Sequence, residues 1–134
     1  MNSVFSLSKR IVLGLSVVLL MVSSFVFNAS PATAANYEVT MGAGGLQFSP
    51  RKVAVKPGDT VTFKNGMLAP HNVIFNPSNS ADGSLAKTLS HNKLEYQASA
   101  SFDVTIPEDA TSGEYEFFCA PHRGAGMVGK LVVE

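Results

Sequence analysis

Beyond residue 34 the chain is predicted to fold as an all-β sandwich of roughly seven to eight short strands with one short helix. Three observations predict it. Apolar and polar residues alternate through most segments, Gly, Pro, Asn and Asp punctuate them at short intervals, and only one stretch is open to a helical reading.

The elements follow in order. Tyr37-Glu38-Val39-Thr40-Met41 alternates, and Arg51-Lys52-Val53-Ala54-Val55-Lys56 does so with Val53 and Val55 directed to the core. Pro57-Gly58-Asp59 is a turn, after which Thr60-Val61-Thr62-Phe63-Lys64 returns with Val61 and Phe63 inward and Asn65-Gly66 closes it. His71-Asn72-Val73-Ile74-Phe75 is apolar on both faces through Val73, Ile74 and Phe75, the pattern of an interior strand. Residues 76 to 98 are the least regular part, with loop signals at Asn76-Pro77 and Asp82-Gly83 and room for a short helix between Leu85 and Leu94. His91, between Ser90 and Asn92, reads there as a solvated surface histidine. Three strands finish the chain: Ala100 to Ile106, Glu114 to Cys119 and Met127 to Val133. Phe102, Val104 and Ile106 share one face, as do Tyr115, Phe117 and Cys119, so the thiol points into the sandwich at its end.

Residues 1–34 read as an address rather than as fold. Lys9-Arg10 forms a positive n-region, Ile11 to Phe27 is an apolar run, and Ala32-Thr33-Ala34 is a small-residue cleavage signal. Cleavage after Ala34 starts the mature protein at Ala35, with a cut after Ala35 as the neighbouring option, and an uncleaved membrane anchor is the alternative, since the run approaches the length of a span. Residues 35–134 then form one domain of about 100 residues, enough to bury roughly 60–70% of its unfolded surface. Without Lys9 and Arg10 eight basic residues face ten acidic ones, a net charge of −2, and no basic stripe points to nucleic acid. With a single cysteine, Cys119, no internal disulfide forms, and an unpaired thiol in an exported protein calls for an explanation such as metal ligation.

Cys119-Ala120-Pro121-His122-Arg123-Gly124-Ala125-Gly126-Met127 supplies that explanation, packing a thiol, an imidazole and a thioether into one stretch that reads as a loop. Gly124 and Gly126 let it turn back sharply. His71, just after Pro70, is the upstream fourth donor. A lone Cys, His or Met is ordinarily core filler or surface, but one thiolate, two imidazoles and a thioether make the His2Cys set with a weak axial Met that holds redox copper. Zinc also fits such donors, although the Irving–Williams order favours copper. Four protein ligands leave no open position for substrate, so no enzyme is expected.

These residues resemble a known family. Cys119 to Lys130, with Pro70-His71-Asn72-Val73 upstream, looks like the plastocyanins, in particular the cyanobacterial kind, and the similarity covers Ala35 to Glu134. The resemblance implies a cupredoxin Greek-key sandwich with one type 1 copper ion, alternating between Cu(I) and Cu(II), on His71, Cys119, His122 and Met127. It implies a monomeric one-electron carrier in the thylakoid lumen, meeting cytochrome f and photosystem I transiently at their membranes. It also implies a flat apolar docking face at His122, comprising here Gly44, Leu46, Pro70 and Ala125, with Gly45 and Gly124 nearby and Arg123 as a partner contact. Asn72 looks like the residue that ties the two ligand loops together. Two departures stand out: Phe118 occupies the place of a usual tyrosine, and Asn76 to Ala81 lacks the acidic clusters of the plant proteins. A different cupredoxin donating to a reductase, and a copper buffer or delivery protein, are the competing readings, the latter without the Met- or His-rich tract it would need.

Overall fold

The computed structural model describes residues 33–67 and 70–134. The leader expected over residues 1–34 lies outside them, apart from its last two positions. Residues 34–134 form one compact unit. Among the described residues nine strands run in the order β1 (Asn36–Met41), β2 (Phe48–Ser49), β3 (Lys52–Val55), β4 (Thr60–Asn65), β5 (His71–Ser80), β6 (His91–Glu95), β7 (Ser101–Thr105), β8 (Gly113–Phe118) and β9 (Val128–Val133). Helix α1 (Gly83–Leu89) lies between β5 and β6, and a 3-10 helix, Ala120–Ala125, lies between β8 and β9.

Two sheets stack, one in the order β2-β1-β4-β7 and the other β3-β9-β8-β5-β6. Parallel pairs join β1 to β4 and β3 to β9, while the other ladders are antiparallel. The alternation read from the sequence decides which side chains meet between them. Val53, Val55, Val61, Phe63, Val104, Ile106, Tyr115 and Phe117 are all buried. Phe117 of β8 is the hub, with ring centroids 4.8 Å from Phe48, 5.4 Å from Phe63 and 5.4 Å from Phe75. Edge-on and tilted contacts of this kind add to the area each ring buries.

The sandwich is as expected, and the irregular segment differs in detail. Helix α1 starts at Gly83 because Asp82 caps it, its carboxylate accepting from the N–H groups of Ser84 at 2.8 Å and Leu85 at 3.0 Å. It ends at Leu89 rather than Leu94, since Ser90 is extended and its hydroxyl accepts from Phe75 N–H at 2.9 Å. The residues assigned to the helix's second half are strand β6, paired with β5. His91 is therefore not a solvated surface histidine. Its ring stacks on Phe102 with centroids 3.7 Å apart, its Nε2 lies 3.0 Å from Glu95 Oε1, and only 26% of the side chain is exposed. That stack bridges β6 of one sheet and β7 of the other. The two-residue β2 and β6 account for the strands beyond the expected number.

At the opposite end from Met41 the first sheet is tied down by Asp59, which is buried. Its carboxylate accepts from Ala35 N–H at 2.7 Å and Lys56 N–H at 2.8 Å. These bonds, Ala35's first and Lys56's next, hold its pKa below the ordinary value of 3.8, against the opposing effect of burial.

Replacing Phe117 by Ala removes the hub, and urea unfolding should show a loss of about 3–5 kcal/mol. The Asp59 contribution has a definite sign with pH. A carboxyl with a lowered folded pKa stabilises fully above its unfolded value near 3.8, and the effect fades as pH falls through the lower folded value. The stability deficit of Asp59→Asn should accordingly be largest near neutral pH and shrink on acidification below 3.8, as measured by thermal unfolding across that range.

Candidate metal centre

Four connections gather at one end of the sandwich. The parallel strands β1 and β4 both finish there, β5 begins there, and the antiparallel β8 ends there opposite the start of β5. In the β5–β8 ladder Ile74 faces Phe118 and Phe75 faces Phe117. Continuing that register puts Cys119 alongside Val73, near the start of β5, and its thiol takes the same buried face as Phe117 and Tyr115.

The 3-10 helix after Cys119 corrects the expectation of a plain loop. Proline at its first turn is favourable, because the N–H that Pro121 lacks would have no partner there. Gly126 ends it with φ +82°, the left-handed conformation a glycine adopts freely, whereas Gly124 needs no such freedom. Met127 N–H then donates to His122 O at 3.2 Å and Cys119 N–H donates to Met127 O at 3.1 Å, which closes the segment on itself.

Within this frame three donor atoms converge. His71 Nδ1 and His122 Nδ1 are 3.2 Å apart, and Cys119 Sγ lies 3.6 Å from the first and 3.4 Å from the second. A point equidistant from all three lies about 2.0 Å from each, close to ordinary metal–nitrogen and metal–sulfur bond lengths. The donor set therefore fits a soft or borderline cation. His71, Cys119 and Met127 are all 0% exposed, whereas His122 is half-buried.

The surroundings prepare the donors. His71 Nε2 lies 3.4 Å from the Met67 carbonyl oxygen, which can only accept. The N–H therefore sits on Nε2, leaving the Nδ1 lone pair free. Burial lowers the His71 pKa, opposed by the Met67 carbonyl and assisted by the charge of His122, so the ring favours its neutral, ligating form. Burial raises the Cys119 pKa, and the backbone N–H groups of Asn72 and His122 pull it back down. A thiolate in this apolar setting is stabilised by a cation.

Asn72 is buried and spans the gap between segments. Its Oδ1 accepts from Ala120 N–H at 2.9 Å, and its Nδ2 donates to Asn92 O at 3.1 Å. One carboxamide thus joins β5, the 3-10 helix and β6. Arg123 is exposed, with its guanidinium carbon 4.1 Å from the centroid of the Phe118 ring, a cation–π contact that needs no tyrosine hydroxyl. Beyond it, Glu116 accepts from Asn76 and Asn79, each at 3.0 Å, and these bonds hold its pKa low.

Gly44 and Ala125 are exposed, and Leu46, Pro70 and Gly45 are half-exposed, at the same end as the half-buried His122. Two residues there escaped the sequence reading. Met67 is 77% exposed, and its carbonyl orients His71. Gly42 has φ +80°, and a Cβ on it would meet the Met67 oxygen and His71 Nε2. The Gly42-Ala43-Gly44-Gly45 string was the available signal, since clustered glycines mark close backbone approach.

A two-sheet β-sandwich with a His-Cys-His cluster at one end, two of its members buried and the third half-buried, closed by a tight turn to a buried methionine, defines a cupredoxin. The chain belongs to the plastocyanin/azurin family of copper binding proteins, whose profile matches residues 35–134. Over 132 residues it is 46% identical to the plastocyanin of Nostoc punctiforme, covering 94% of each chain. It is 40% identical over 131 residues to that of Prochlorothrix hollandica, covering 96% of each. Among solved structures, oxidised plastocyanin from Dryopteris crassirhizoma aligns at 32% identity with a TM-score of 0.62, over 72% of this chain and 99% of that one. Amicyanin from Paracoccus versutus aligns at 25% identity with a TM-score of 0.54, over 79% and 86%. Family membership makes the protein a copper-dependent electron carrier rather than an enzyme.

Gly42→Ala should push the His71 ring from its place and strain the backbone as well. We expect a stability loss of about 1–3 kcal/mol and at least tenfold weaker copper binding, measured by unfolding and by competition with a chelator.

Proposed function

We propose that His71, Cys119, His122 and Met127 hold one copper ion, and that the protein carries single electrons from cytochrome f to photosystem I in the thylakoid lumen. The observation that carries the ligand assignment is the three-atom cluster of His71 Nδ1, Cys119 Sγ and His122 Nδ1, with Met127 buried beside it and hydrogen-bonded to Cys119 and His122. Copper in such a site supplies one-electron chemistry, alternating between Cu(I) and Cu(II). The chain's own residues keep the donors in place in both states. Asn72 braces two of the segments, the Met67 carbonyl fixes one imidazole, and the interlocked backbone of Cys119, His122 and Met127 fixes the rest. The buried donors exclude water, and the half-exposed edge of His122 is the route to a partner.

The plastocyanins of cyanobacteria among its relatives support the photosynthetic partners. Gly44, Leu46, Pro70 and Ala125 form the apolar rim of the docking face around His122, and Arg123 steers an acidic patch of a partner toward it. The leader over residues 1–34 directs export and is removed after Ala34.

The absorption spectrum tests the ligand assignment. With copper(II) the protein should show an intense thiolate-to-copper band in the visible, which ascorbate abolishes; Met127→Leu should keep the band and raise the reduction potential. No band would overturn Cys119 as ligand, and an unchanged potential would remove Met127. For the docking face, Arg123→Gln should slow electron transfer from cytochrome f several-fold at low ionic strength and little at high, because exposed charges are screened within about 10 Å at 0.1 M salt. Equal slowing at both salts would take Arg123 off the interface.

A further inference from the structure

Ala35, the residue just before β1, is held on both sides. Ala35 N–H donates to Asp59 Oδ1 at 2.7 Å, and Ala35 O accepts from Thr60 N–H at 2.9 Å, so the residue is gripped from both sides before β1 begins. The acceptor is a carboxylate only 4% exposed. Its second oxygen takes the Lys56 N–H at 2.8 Å, and the other charged or titratable groups facing it are the Lys56 side chain and the Tyr37 hydroxyl. Both oxygens are hydrogen-bonded, yet no cationic side chain forms an ion pair with Asp59 among the described residues. A buried carboxylate ordinarily has such a partner.

We propose that leader removal supplies the missing cation: hydrolysis of the Ala34–Ala35 bond turns the Ala35 amide nitrogen into an α-ammonium that forms an ion pair with Asp59 and locks β1 into the sandwich. The inference rests on the reading that the leader is cut after Ala34. In the cut, water contributes hydroxyl to the Ala34 carboxylate and hydrogen to the Ala35 amine, which takes up a further proton near neutral pH. A leader peptidase is the catalyst. Ala34 is exposed, so the bond is reachable, and Ala35 is half-buried, so the new ammonium keeps contact with water on one side while facing Asp59 on the other. Pairing with an already hydrogen-bonded carboxylate adds a charge-assisted contact, screened in part because the ammonium keeps water on one side. The processed chain is thereby more stable than any chain with residues still attached to Ala35.

The experiment uses the exported, copper-loaded protein, its N-terminus identified by intact mass, beside a variant with one glycine inserted between Ala34 and Ala35. The insertion restores an amide at Ala35 while leaving everything else in place. Each is made with and without Asp59→Asn. We expect the insertion to lower Tm by about 5 °C when Asp59 is present, as a charge-assisted contact does in a domain of this size, and by less than about 1 °C with Asp59→Asn. A mature N-terminus elsewhere than Ala35 overturns the cleavage reading and the ion pair with it. An N-terminus at Ala35 with equal Tm shifts in both backgrounds, or with none, overturns the ion pair alone. Should Asp59→Asn fail to fold, the exported protein decides by itself. Its α-amine should react with acetic anhydride at neutral pH no faster than the lysines if paired, whereas a faster reaction, as for a free α-amine of pKa about 8, overturns the proposal.

Discussion

The register of β5 against β8 is the constraint on which the metal end depends. His71 and Cys119 are 48 residues apart, and only this ladder brings them to 3.6 Å. Because strand side chains alternate, a slip of one residue would turn the Cys119 thiol to the outer surface and the Phe118 ring inward. The aromatic cluster prevents that slip. Phe117 shares its face with Cys119, and its contacts with Phe48, Phe63 and Phe75 are satisfied in one register. The apolar core thus positions a polar site without contributing a donor atom to it.

Around that fixed pair the remaining freedom is removed by hydrogen bonds to groups that cannot play another part. The Met67 carbonyl can only accept, so it dictates which His71 nitrogen is bare. The Asn72 carboxamide both accepts and donates, and so ties a helical turn and a neighbouring strand to β5 at once. Rigidity of this sort matters more to an electron carrier than to a storage protein, because a donor that moves between oxidation states adds to the barrier for transfer. Of the four candidate donors only His122 reaches the surface, where its neighbours are apolar.

Most of the fold was legible because period-two alternation is a direct record of which residues face the core. Val53 with Val55, Val61 with Phe63, and Tyr115 with Phe117 are buried as their spacing requires. The candidate donors were legible because Cys119, His122 and Met127 share nine positions, and their chemistry is unusual in combination. What alternation does not record is where a strand is held by pairing alone. Residues 91–95 carry no clean pattern and become β6 through the β5 ladder, which is also why His91 ended up stacked on Phe102. The 3-10 helix was hidden because Pro121, a breaker inside a helix, is well placed at the first turn of one. Gly42 and Met67 act through backbone atoms, and a one-letter code says little about those.

The lone thiol has a consequence for the lifetime of the molecule. Cys119 is 0% exposed in the folded chain and has no intramolecular cysteine to pair with. In an oxidising compartment, each excursion to an open state presents that sulfur to oxidants and to the thiols of other opened chains. Crosslinked or sulfinylated molecules cannot rebuild the same ligand set, so opening becomes a one-way exit rather than an equilibrium. The survival of such a protein is then governed by how rarely the sandwich opens, a rate set by its unfolding barrier, more than by the depth of its free-energy well.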